Sequence, residues 1–137
     1  MKFFTPPSSP SNEAIGLVRI IFGLLLVYHG HEVFRPEIMN SYLDWDLFKT
    51  PSGKVLVYAG KASELIAGIL LTLGLFTRVG SLLTIGTFCF ITFVVGNGRF
   101  WYEDQHPFMF ALFGLLFLMT GPGAWSFDRI LFRTASG

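Results

Sequence analysis

Two ionisable side chains, Lys61 and Glu64, stand inside an apolar run from Val55 to Phe76, and their setting makes them the first candidates for chemistry. A bilayer core about 30 Å thick takes about 20 apolar residues as helix, and an ionisable group within it costs roughly 2.5–3.5 kcal/mol or more unless paired or hydrated. Three positions apart, Lys61 and Glu64 share a helical face and can pair. Gly60 and Gly68 flank Glu64 at four-residue spacing and have no side chain to hold a neighbouring helix away. The pattern predicts a carboxylate facing the inside of a helix bundle. Two accounts of it stay open: a structural salt bridge with Lys61 or Arg19, and a proton or ligand site.

Other polar groups gather around the same level of the sequence pattern. His29, His31 and Glu32 end the first apolar run, Arg99 and Trp101 lie in the loop after the third, and His106 opens the fourth. An up-down bundle brings all of them to one membrane face. At 1.5 Å per residue, helices of matched depth set Lys61 level with His29 and Glu64 about one turn deeper, near Leu26. Glu64, Lys61 and His29 are the candidate catalytic residues. Arg19, His31, Glu32, Arg99, Trp101 and His106 are the candidate ligand contacts. Arg19 lies roughly 10 Å from Glu64 in depth, so it either snorkels to the nearer interface or meets Glu64 by stretching. No metal site is expected, because His29 and His31 point to different helix faces and no histidine pair stands four apart. Trp101 and Tyr102 read either as an interfacial aromatic belt or as a stacking platform. Asp128 and Arg129 are expected in water beside the membrane surface.

These residues need a membrane frame to position them. The 137-residue chain is 52% hydrophobic and 14% charged, against roughly 25% charged in soluble domains, and its mean hydropathy is +0.57. A net charge of +1, with no clustered Lys/Arg footprint, argues against nucleic acid as a partner. The single cysteine, Cys89, excludes a dithiol pair within the chain.

Residues 1–12, with three prolines, read as a flexible tail. Helices are expected over residues 13–34, 55–76, 79–95 and 107–120, forming one transmembrane domain over residues 13–123, followed by a tail over 124–137. The fold class is all-α: an integral membrane four-helix up-down bundle, with an amphipathic segment around Tyr42, Trp45 and Phe48 lying at the interface between the first two helices. Gly16, Gly23 and Gly30 form one stripe on the first helix and predict a close helix contact or self-association as a homodimer. Thr84, Thr87 and Thr92 can bond back to their own helix. Basic residues near the spans tie between the two sides, and the shorter basic segments favour cytoplasmic termini.

Arg19 followed by Gly23 and His29-Gly30, then Glu64-Leu-Ile-Ala-Gly68 running to Leu73-Gly-Leu-Phe-Thr-Arg78, then Thr120-Gly-Pro-Gly-Ala-Trp-Ser-Phe-Asp128, resemble the DoxX family. The resemblance covers roughly residues 14–128. It implies a four-helix protein of the bacterial cytoplasmic membrane associated with quinol oxidase, thiosulfate:quinone oxidoreductase or other quinone handling. Arg19, Glu64 and Asp128 match recurrent polar positions of the family. A position that is often Lys after the first helix's glycine is not clearly present here, where His31, Glu32 and Arg35 follow Gly30.

Two functions are expected from the residues and the resemblance together. In the first, Glu64 with His29 or Lys61 binds quinone and exchanges protons while a partner oxidoreductase subunit supplies electrons, since the chain has no haem-ligand pair, cysteine set or nucleotide loop as an intrinsic cofactor site. In the second, the chain is a non-catalytic module that binds membrane lipid or a small apolar ligand, or scaffolds a soluble oxidoreductase.

Overall fold

The computed structural model describes Phe4 and residues 11–132; most of the expected N-terminal tail, and Arg133 with the residues after it, lie outside them. Ser11 starts α1 (Asn12–Gly30) by accepting a hydrogen bond from the Ala14 N–H at 3.3 Å, which satisfies one of the donors a helix start leaves open. A 3-10 turn, His31–Phe34, extends α1, and α2 (Pro36–Leu43) opens on Pro36, whose missing N–H is no loss in a first turn. A second 3-10 turn, Asp46–Phe48, leads into α3 (Gly53–Leu73). α4 (Thr77–Phe90) runs on as a π turn, Ile91–Val95, and is followed by α5 (Gln105–Thr120) and the short α6 (Phe127–Leu131). The described residues contain no strand.

Three stretches, Asn12–Phe34, Gly53–Leu73 and Thr77–Val95, are long and apolar enough to cross a membrane. α5 is apolar too, but its 16 residues reach only about 24 Å. The outward faces of the long helices carry Leu17, Ile21, Leu24, Ile66, Val79 and Leu82, all about half exposed. Contiguous apolar surface of that kind belongs against lipid. The chain is an integral membrane protein, and lipid is a contact of its flanks.

Helices that follow one another along the chain pack side by side: α1 on α3, α3 on α4, α4 on α5. The core between them is Phe22, Leu26, Ala67, Leu71, Phe88, Phe110, Ala111 and Phe117. At the α1–α3 seam, backbone approaches backbone. A Cβ on Gly23 would lie 2.5 Å from the Thr72 nitrogen, one on Gly68 would lie 2.6 Å from the Val27 nitrogen, and Gly30 meets Leu65. The third member of the stripe, Gly16, faces Ala124 of the C-terminal segment instead. Gly60 makes no close approach at all, since a Cβ there meets nothing within 4 Å.

This register corrects the expected depths. With Leu65 opposite Gly30 and Gly68 opposite Val27, Glu64 lies level with His31, about 7 Å nearer the end of the bundle than Leu26. The glycine contacts fix the pairing of the two helices, and their apolar lengths do not. In α4, Ser81, Thr84 and Thr92 donate to the carbonyls of Thr77, Gly80 and Phe88. Among the described residues Thr87 forms no such bond.

The opposite end of the bundle is closed by the residues after α5. Gly74 ends α3 in the left-handed conformation (φ 65°), with the Leu75 N–H returning to the Leu70 carbonyl at 2.9 Å. Phe76 is also left-handed (φ 46°), a conformation costly for a non-glycine residue, and it is held there by Asp128, whose carboxylate accepts from the Phe76 and Thr77 N–H groups at 2.7 and 2.8 Å. Asp128 therefore caps α4 and is not simply in water. Residues 121–126 tuck beneath α1, where the Ala124 N–H donates to the Asn12 carbonyl at 2.8 Å. The segment after α5, where the sequence suggested the start of a tail, is thus tied to the bundle through Ala124 and Asp128.

Candidate functional site

The polar cluster is built from three elements. α3 carries Lys61 and Glu64 one turn apart on one face, and the 3-10 turn after α1 brings Glu32 to the same point. Lys61 Nζ lies 3.0 Å from Glu32 Oε2 and 3.1 Å from Glu64 Oε2, so one ammonium bridges two carboxylates. α2 adds Tyr42, whose hydroxyl donates to Glu32 Oε2 at 2.7 Å and whose ring centroid lies 5.1 Å from Nζ. Burial increases inwards along this chain of contacts: the side chains of Glu32, Lys61 and Glu64 are 24%, 15% and 4% exposed. Burial holds the Tyr42 hydroxyl above the usual tyrosine range, and its bond to the Glu32 carboxylate adds to that.

An ammonium has three N–H donors. Two of those on Lys61 are used by Glu32 and Glu64, and one remains. Glu64 Oε1 receives no hydrogen bond among the described residues.

Beside this cluster, between α3 and α4 and under the 42–48 connection, is a cavity of about 560 Å³. Its walls are chiefly apolar, from Val57, Leu83, Phe90 and Ile91, with Trp45 and Phe48 at the connection. The polar side chains that line it are Tyr42, Lys61, Ser63 and Glu64 on one side and Thr87 on the other. Gly60 and Gly86 also line it, and neither would meet an atom within 4 Å if it carried a Cβ. That volume and that ratio of apolar wall to placed polar groups are those of a small-molecule site.

The DoxX family model matches residues 14–97. The chain belongs to the DoxX family. No curated protein and no solved structure matches it. The matched stretch holds Glu32, Tyr42, Lys61 and Glu64 and every residue that lines the cavity.

In this DoxX protein the expected site residues do not share one place. Lys61 and Glu64 line the cavity and Glu32 bonds to Lys61 from behind it. His29 and His106 lie together across the bundle, their ring centroids 6.0 Å apart and both against Phe110, and neither lines the cavity. His31 bonds through its ring to the Tyr28 carbonyl. Arg99 pairs with Glu103 at 3.8 Å in the loop before α5, where Asp104 accepts from the Asn97 and Arg99 N–H groups, and Trp101 is exposed against Phe100. Among the described residues no group of three or more His, Cys, Asp or Glu side chains could hold a metal ion.

Arg19 is the residue the structure moves furthest from its expected surroundings. It is fully buried at the other end of the bundle, donating to the Pro122 carbonyl at 2.7 Å and the Trp125 carbonyl at 2.8 Å. It neither snorkels nor meets Glu64. Tyr42, Ser63 and Thr87 were not expected at the site. A partial signal for Thr87 existed, since it belongs to the 84–92 hydroxyl series, but that it lines the same cavity as Lys61 and Glu64 is visible only once α4 is packed on α3.

Proposed function

We propose that this protein binds a quinone headgroup in the α3–α4 cavity and serves as the membrane subunit of a quinone-linked redox system, within a four-helix up-down bundle of the bacterial cytoplasmic membrane whose 36–48 connection lies at the interface and whose termini are cytoplasmic. One observation carries the reading: an apolar cavity of quinone-accommodating size has an uncommitted ammonium donor, Lys61, on one wall and an unbonded hydroxyl, Thr87, on the other. A ring with two opposed carbonyls needs one donor at each end and apolar walls between. Glu64, with Oε1 free, takes or gives a proton at the Lys61 end, and Glu32 and Tyr42 hold the ammonium in place. Excluding water from this pair strengthens both contacts. The bound quinone supplies the electron-accepting chemistry, and the electrons come from a partner oxidoreductase subunit.

Trp45 lines the cavity while Trp101 and Trp125 do not, which gives the reading a direct test. In a Trp101→Phe/Trp125→Phe background, a short-chain ubiquinone analogue is expected to quench the remaining tryptophan saturably. Glu64→Gln is expected to weaken that binding about tenfold, the scale of one charged hydrogen-bonding partner. Linear, unsaturable quenching, or identical affinity in the Glu64→Gln variant, would overturn the proposal.

A second reading has its own support. Leu56 and Leu82 line the cavity and are 42% and 56% exposed, so its mouth opens sideways towards lipid tails. A lipid-binding or scaffolding module would use the same opening for an acyl chain, with Lys61 at its headgroup.

A further inference from the structure

A second cavity, of about 1090 Å³, lies at the far end of the bundle between the start of α4 and the segment after α5. Its lining includes Thr77, Arg78, Asp128 and Arg129, with Phe76 and Phe132 among its apolar residues. We propose that it binds the phosphate of an anionic membrane phospholipid, held by Arg78, Arg129 and the N-terminus of α4, with an acyl chain against the neighbouring aromatic and aliphatic side chains.

Four observations converge on that chemistry. Both guanidiniums are exposed, and neither forms a hydrogen bond or ion pair within the described residues. α4 is 14 residues long and presents the positive end of its dipole here; Asp128 takes the Phe76 and Thr77 N–H groups, which leaves those of Arg78 and Val79 without an acceptor among the described residues. Thr77 is 1% exposed, lines the cavity, and its hydroxyl has no hydrogen-bond partner. A buried hydroxyl left unpaired costs free energy, and a ligand oxygen would satisfy it. The charge balance also favours an anion: two guanidiniums and about half a positive charge from the helix end outweigh Asp128, whose carboxylate is already bonded, and Glu13, which lies close enough to Arg129 to offset part of its charge.

The surroundings select a lipid over free phosphate. Phe76, Val79, Ile130 and Phe132 are each half exposed or more around the cavity, and Trp125 and Phe127 stand nearby. Aromatic and basic residues at the end of apolar helices mark the headgroup level of a bilayer. A site lined by two cations and flanked by exposed apolar side chains fits a molecule with a phosphate and a chain.

The test is native mass spectrometry of the full chain in detergent, titrated with phosphatidylglycerol and, separately, with phosphatidylcholine. The parent is expected to retain phosphatidylglycerol in clear preference, and Arg78→Gln and Arg129→Gln each to lose about fivefold of that preference. Thr77→Val, which removes the unpaired hydroxyl with little change of shape, is expected to weaken phosphatidylglycerol binding several-fold without lowering thermal stability. Equal binding of the two lipids by the parent overturns the proposal with no variant needed. So does a preference unchanged in the double arginine variant. Millimolar inorganic phosphate is expected to leave the lipid bound; complete displacement, with phosphate itself raising the melting temperature, would replace the lipid by a free anion and refute the assignment. Glu64→Gln is expected to leave the preference untouched, so this site and the α3–α4 cavity stand or fall separately.

Discussion

Gly60 and Gly68 stand on the same helix, four residues either side of Glu64, and an alanine at each should have opposite consequences. A Cβ on Gly68 falls 2.6 Å from the Val27 nitrogen and 2.9 Å from Leu26 Cβ, inside the α1–α3 seam. Ordinary contact needs about 3.5 Å, so the two backbones must part by about 1 Å, and neither can yield as a flexible side chain would. Overpacking of that kind costs about 1–3 kcal/mol. A Cβ on Gly60 meets nothing within 4 Å. Both substitutions gain the same intrinsic helix preference of alanine over glycine, about 0.8–1 kcal/mol, so it cancels in the comparison. The stability difference between Gly60→Ala and Gly68→Ala should therefore report the seam alone, about 1–3 kcal/mol in favour of Gly60→Ala. Reversible unfolding in mixed micelles measures it, with the parent between the two. Equal stabilities, or Gly68→Ala the more stable, would refute the seam and with it the register that sets Glu64 level with His31.

Two further outcomes follow from the ends of the bundle. Arg19→Lys should lower stability by about 2 kcal/mol, because a single ammonium cannot span the Pro122 and Trp125 carbonyls as the guanidinium fork does, and it should leave ligand binding at Lys61 unchanged; micelle unfolding and ligand titration of the same variant check both. Tyr42 is held protonated, so its contribution to stability should be intact below the ordinary tyrosine pKa of about 10 and lost as pH rises through its elevated value; the parent-minus-Tyr42→Phe absorbance at 295 nm should show phenolate forming later than in free tyrosine.

The apolar spans were legible because membrane solvation imposes length and composition on every spanning helix, and the acid and base inside the second span were legible because they violate that rule. The glycine stripe likewise declared a close contact. Its partners did not follow from the pattern: Gly16 serves the C-terminal segment, Gly23 and Gly30 serve α3, and Gly60 serves neither. A period-seven stripe gives a face, and only the packed partner gives a depth. For the same reason Glu32 could be named without its bond to Lys61 being foreseen, while His29 and His106, though brought together, lie off the cavity. Arg19 was recognisable as unusual and Asp128 was read as solvated, and the partners of both are backbone groups of remote turns, which no side-chain pattern encodes.

Whether the Lys61–Glu64 cavity holds the proposed quinone is read by mass spectrometry of the small molecules extracted from protein purified in mild detergent, beside an equally stable Glu64→Gln variant. A near-stoichiometric quinone is expected in the parent, and its depletion in the variant. Lipid alone, in amounts the variant does not change, would contradict the proposal.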